Sequence, residues 1–217
     1  MRNVKFVTNE FYHIYNRGTD KRDIFLDKED VWRFLTYLKE INSVEIIGSI
    51  FQNSFRKNIK KNETQKLVNI IAYCLNQNHF HFILEPLVEE GIQKFMHRLS
   101  TGYTNYFNKK NKRSGSLFQG TYKAIHISSN EYLLHLGVYV NLNNEIHIGM
   151  NKPWMKELSF SSFREYMDNK SKGICKKDII LGQFKSNSDF SRYCFSVLPS
   201  IIKRKEEIKG FDKMCID

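Results

Sequence analysis

No apolar run in this chain approaches the ~18 residues that a membrane-spanning helix needs, which argues against a membrane protein. The opening stretch MRNVKFVTNEFYHIYNRG holds no unbroken apolar segment, so no secretory leader is expected. Cysteines are few and scattered: Cys74, Cys175, Cys194 and Cys215 form no CxxC pair. Reduced thiols are expected, and a structural zinc knuckle is not. Acidic residues are also short, with 23 Asp+Glu against 34 Lys+Arg and a formal net charge of +11. Such an excess favours a polyanionic partner. With no membrane segment in the sequence, nucleic acid is the better reading, and a cytoplasmic, nucleoid-associated location is expected. Internal repeats and low-complexity tracts are lacking.

What the chain does have is apolar material, 41% of 217 residues with 14% aromatic, enough for a packed core. The length suits one sizeable domain plus an appendage, or two small domains. EFYHIYNRG reads as a strand ended by a turn at Gly18. LDKEDVWRFLTYLKEI reads as a helix capped by Asp27, with Val31, Phe34, Leu35 and Leu38 on one face. The polar stretch QNSFRKNIKKNETQK reads as a loop or hairpin tip. LVNIIAYCLN and HFHFILEPL form two strands joined near Asn76 to Asn78. VEEGIQKFMHRLSTGYTNYFNKKN spaces Ile92, Phe95, Met96, Leu99, Tyr103, Tyr106 and Phe107 along an amphipathic helix. GSLFQGTYKAIHI reads as another strand. Ser128 and Glu131 then stand at capping-box spacing before a helix through EYLLHLGVYVNLNN.

Strand, helix, two strands, helix, strand is the split βαβ order of a ferredoxin-like (RRM-like) α+β sandwich, an antiparallel sheet with helices on one face. One domain is expected over residues 1–150, and a small, mostly helical extension over 151–217. Trp32 and Trp154 are expected in the core or at a contact between the two.

Within NQNHFHFILEP, His79 and His81 point to one face of their strand and Phe80 and Phe82 to the other. Two adjacent imidazoles can share a metal, or simply line an open sheet face. On the helix after residue 128, Tyr132, Leu136, Tyr139 and Asn143 recur on one side, so the Tyr139 phenol and the Asn143 carboxamide stand one turn apart. A core aromatic with a solvated hydroxyl is the plain alternative for Tyr139. His13 on the first strand reads as packing or as support behind a metal ligand.

Taken together, YHIYNRGTDKRDIF, AYCLNQNHFHFILEP, GSLFQGTYKAIHI and EYLLHLGVYVNLNN resemble the single-tyrosine HUH transposases. Within them the resemblance is to the REP-associated tyrosine transposases and their insertion-sequence relatives, over roughly residues 9–165. The resemblance implies that His79, His81 and Asn143 hold a divalent metal, Mg²⁺ or Mn²⁺. It implies that Tyr139 attacks a phosphodiester of single-stranded or hairpin DNA, giving a 5′-phosphotyrosine bond and then strand transfer. A homodimer is within what the family allows. The chain departs from the family at Gln77, where proline often stands, and at Asn144, where the helix motif usually ends in proline.

Three basic clusters are candidate DNA contacts. Arg56, Lys57, Lys60, Lys61 and Lys66 form the first, and Lys203, Arg204, Lys205 and Lys209 the last. The preferred one comprises Lys109, Lys110, Lys112 and Arg113, leading into a strand with Lys123 and with Phe118 and Tyr122 as exposed stacking aromatics. Two other readings fit the residues: a non-catalytic (domesticated) hairpin or single-strand binding protein, and a phosphoesterase that uses metal-bound water.

Overall fold

A computed structural model of the chain describes residues 4–45, 65–148, 160–168 and 173–214. Arg56, Lys57, Lys60, Lys61 and Trp154 lie outside these residues, as do the side chains of Lys205 and Lys209.

Among the described residues, five strands form one antiparallel sheet: β1 (Phe11–Arg17), β2 (Val68–Asn76), β3 (His79–Pro86), β4 (Lys123–Ile127) and β5 (Phe160–Ser161), in the order β4-β1-β3-β2-β5. The first four follow the expected ferredoxin-like order, and β5 adds an edge that the sequence reading did not contain. One face carries Tyr12, Ile14, Phe80, Phe82 and Leu84 against α1 (Lys28–Glu40) and α2 (Gly91–Lys110). Asp27 caps α1 by accepting from the Asp30 amide, as its sequence position suggests.

The opposite face, bearing His13, His79 and His81, is partly covered by α3 (Asn130–Ile148). Helix α3 is apolar nearly all round because it is buried on both sides: Leu136, Val140 and Leu142 join a cluster with Ile71, Cys74 and Ile83 of the sheet and with Phe190 and Cys194 of α6 (Asn187–Met214). The short helices α4 (Phe163–Met167) and α5 (Asp178–Leu181) complete this layer. Helices therefore lie on both sides of the sheet, those of the ferredoxin-like core on one side and α3 with the C-terminal helices on the other.

Three local expectations change. The strand begins at Lys123; from Gly115 to Tyr122 the chain turns, with Gly115 and Gly120 at positive φ and one bridge between Phe118 and Gly18. Helix α3 is capped one residue later than Ser128, by Ser129, whose hydroxyl accepts from the Tyr132 amide at 3.1 Å. Trp32 is exposed, on the outer side of α1, with its ring 6.1 Å from Phe160.

Two details fix the site's frame. Strand β2 has an irregularity between Ile70 and Ala72; Ile70 pairs with Leu84 but Ala72 with Ile83. The extra residue advances the register by one, so Asn76 rather than Leu75 stands opposite His79. The second detail is a buried link between β2, α3 and Ser162, the residue that follows β5. Ser162 Oγ accepts from the Tyr73 amide at 2.9 Å and donates to Asn141 Oδ1 at 2.7 Å. Ser162→Ala leaves a buried amide and a buried carboxamide oxygen without their partner, so chemical denaturation should show a loss of about 1–3 kcal/mol.

Candidate active site

The β2–β3 turn is a two-residue connection, Gln77–Asn78, pinned from outside the hairpin. Gln77 O accepts from the amides of Ile24 and Phe25, at 2.8 and 3.0 Å, and its Nε2 donates to Asp23 at 2.9 Å. Gln77 thus holds by hydrogen bonds a turn that a proline would hold by ring constraint. Asn78 reaches the other way, its Oδ1 lying 2.6 Å from His79 Nδ1. A His79 that donates from Nδ1 carries its lone pair on Nε2.

Along the histidine face, antiparallel pairing sets Tyr15 beside His81 and Arg17 beside His79. His79 and His81 have ring centroids 5.2 Å apart at 90°. His13 is buried, and its Nε2 lies 2.9 Å from His81 Nδ1. Desolvation lowers the His13 pKa from 6.5 to about 4, so the ring is neutral at neutral pH. With His13 neutral, one ring donates and the other accepts; a His81 that donates from Nδ1 keeps its lone pair on Nε2. Both histidines of the pair are therefore backed at Nδ1, the arrangement a metal-binding imidazole needs. Tyr15 stacks on both His13 and His81, at 4.9 and 5.7 Å between centroids.

The phenol comes from the other layer. Tyr139 of α3 meets His81 edge to face, with centroids 5.5 Å apart, and His13 at 6.3 Å. Burial raises its pKa, while a hydrogen bond with Asn143 acts in the opposite direction. Asn143 is fully buried one turn on. Its Oδ1 accepts from Asn76 Nδ2 at 2.8 Å, and the same Asn76 Nδ2 lies 3.1 Å from His79 Nε2. The four residues singled out in the sequence, His79, His81, Tyr139 and Asn143, thus come together from β3 and α3 within one chain.

The donor set fits a divalent metal. Among the described residues no three His, Cys, Asp or Glu side chains gather to hold an ion, so an ion bound by the histidine pair would need a third protein ligand of another kind. Asn143 meets that need, because its oxygen and His79 Nε2 both face one donor group, the Asn76 amide. Two imidazoles, a carboxamide oxygen and water suit Mn²⁺ or Mg²⁺, with modest affinity because imidazole is softer than those ions prefer.

The basic candidates fare unevenly. Lys110 is engaged by Asp27, Glu29 and Asp30 at 2.7–3.3 Å, and it sits over the Tyr106 ring. Burial works against its charge, but hydrogen bonds to Asp27 and Asp30 outweigh that and raise its pKa. It fastens α2 to the start of α1 instead of standing ready for a phosphate. Lys109 and Lys112 are exposed at the same end of α2, across the sheet from the histidines, and Arg113 folds over Phe107. Phe118 and Tyr122 are buried in the core, Phe118 edge to face on Phe80, and so are not stacking surfaces. Lys123 alone of this group is on the histidine face, where it pairs with Tyr15 and is exposed. Lys66, Lys203 and Arg204 are exposed elsewhere.

Two residues escaped the sequence reading. Arg17 is exposed beside His79, its Nε held by Gln119 Oε1. The odd-numbered alternation through His13, Tyr15 and Arg17 was the signal that could have found it. Asn76 had no such signal, because its place depends on the β2 irregularity.

Residues 42–143, a little under half of the chain, match the transposase IS200-like family. The solved structure of the REP-associated tyrosine transposase bound to a REP hairpin is similar at a TM-score of 0.45 and 12% identity, over 76% of this chain and 83% of that one. No curated protein matches the chain. The IS200-like match ends at Asn143 and takes in both histidines and Tyr139. No helix among the described residues is long and apolar enough to cross a membrane.

The buried His13 gives a pH prediction. Its folded pKa of about 4 lies below the unfolded 6.5, so the unfolded chain binds more protons between those values. Stability is full above pH 6.5 and falls as pH drops toward 4, by on the order of 3 kcal/mol from this group. Urea titrations across that range should show the fall in the wild type, and a smaller one in His13→Asn.

Proposed function

We propose that the chain is a metal-dependent DNA nickase and strand transferase whose nucleophile is Tyr139. The observation that carries this reading is the meeting of the Tyr139 ring with His81 across the sheet–helix boundary, inside a segment that matches the IS200-like transposases. His79, His81 and Asn143 would hold Mg²⁺ or Mn²⁺. When bound, the ion supplies Lewis-acid polarisation of a phosphodiester oxygen.

The chain's own groups do the rest. Tyr139 Oη forms a bond to phosphorus as the bond from phosphorus to the 3′ oxygen breaks. The phenol gives up its proton, and the leaving 3′ oxygen gains one from solvent. A 5′-phosphotyrosine and a free 3′-OH remain, so the phosphodiester energy is kept for joining a second DNA end without ATP. Partial burial raises the Tyr139 pKa and keeps the phenol protonated at rest, while Asn143 orients its hydroxyl. Substrate orientation falls to the open part of the histidine face. Arg17, beside His79, and Lys123, beside Tyr15, would grip phosphates of a single strand.

Incubation of the protein with labelled hairpin or single-stranded DNA and Mn²⁺ should give a protein–DNA band on a denaturing gel. Tyr139→Phe should give none, and His79→Ala and His81→Ala should each lose cleavage while still binding DNA. A free 5′-phosphate product with no adduct would favour the water-dependent phosphoesterase. Binding without cleavage under any metal would favour a domesticated binding protein. For the strand's path, Arg17→Ala and Lys123→Ala should each lower the slope of log affinity against log salt by about 0.7–1. Lys94→Ala, on the far side of α2 and paired with Glu90, should leave that slope unchanged.

A further inference from the structure

Asn76 sits at the centre of the site without a role in the chemistry above. Its side chain is 4% exposed, on the last residue of β2, directly across from His79. One atom, Nδ2, faces both His79 Nε2 at 3.1 Å and Asn143 Oδ1 at 2.8 Å. Each of those is a lone-pair atom assigned above to a metal. The amide's other end is unsatisfied, since Asn76 Oδ1 is buried without a hydrogen-bond partner. A buried carbonyl oxygen left unmade costs free energy and calls for an explanation.

Resting on the metal reading of the site, we propose that Asn76 is itself a metal ligand, its amide turning over so that Oδ1 replaces Nδ2 when the ion arrives. An N–H donor stands where the lone pairs of His79 and Asn143 converge, and a donor cannot coordinate a cation. Rotation about the last side-chain bond exchanges the two ends of a nearly symmetric amide at little steric cost. The rotated oxygen gains a cation in place of no partner. The released Nδ2 turns to the place where Oδ1 had none. Without metal, the same amide bridges His79 and Asn143 and keeps the two elements in register. The protein's ligand set is then two imidazoles and two carboxamide oxygens from three elements, which favours a hard, weakly held divalent ion with water positions open.

Mn²⁺ titration by calorimetry on the wild type, Asn76→Ala and Asn76→Asp, without DNA, tests this. Asn76→Ala should weaken Mn²⁺ binding about 10–100-fold, the range seen when a group supporting a metal ligand is lost. Asn76→Asp, which offers only oxygens, should bind at least as tightly as the wild type. Equal weakening in both would mean that the donor Nδ2 matters, and unchanged binding in both would mean that the amide is a bystander; either overturns the inference and spares the metal site. A wild type that takes up no Mn²⁺ overturns this inference together with the metal reading. A measurement on the wild type covers the case in which the variants misfold. Adding Mg²⁺ should shift the Asn76 side-chain NH₂ resonances in a ¹⁵N–¹H spectrum, because their partners change. Resonances that stay fixed while His79 and His81 respond would overturn the proposal.

Discussion

The two-residue period of β3 is the constraint on which the rest of the structure depends. Phe80, Phe82 and Leu84 must go into the layer under α1 and α2, because that is where the aromatic cluster of Phe25, Phe34 and Tyr103 waits. Sending them there sends His79, His81 and Ile83 to the opposite face. A slip of one residue would bury two imidazoles among phenylalanines and expose the phenylalanines, so the core enforces the site's geometry. The antiparallel partner repeats the logic: Tyr12 and Ile14 of β1 join the core, and His13, Tyr15 and Arg17 are delivered beside the histidine pair.

Covering that second face half-way is what turns a sheet surface into a site. Helix α3 lies over β2 and β3 and is held from behind by α6 and by the Ser162 link to Tyr73 and Asn141. It brings Tyr139 and Asn143 down onto the histidines while β4 and the end of β1 stay open. The C-terminal segment therefore bears on the site through the position of the Tyr139 helix. Gly137 allows this packing, since a Cβ there would come within 2.8 Å of Ile180.

Polar groups in this half-covered zone are satisfied in a graded way. His13 is desolvated into neutrality behind His81, and Asn78 backs His79. At the centre, Asn76 keeps its buried Oδ1 without a partner. Native structures keep few such deficits, and each calls for an explanation. Lys110 shows the opposite case, a cation inside a carboxylate cluster, where its charge is spent on holding α1 to α2.

The sequence by itself determined the element order, the core faces of α1, α2 and the strands, and the histidine pair, because these follow from periodicity within one segment. Tyr139 and Asn143 were legible as neighbours on a helix, and the resemblance supplied their purpose. Tertiary structure alone decided which charges are available, since Lys110 finds its carboxylates 80 residues away. It also buried Phe118 and Tyr122, whose fate depends on the turn at Gly115 and Gly120 and on contact with Phe80. The extra residue in β2 put Asn76 across from His79. Local pattern fixes what a side chain can do, but the register between distant segments fixes what it meets, and only packing sets that register.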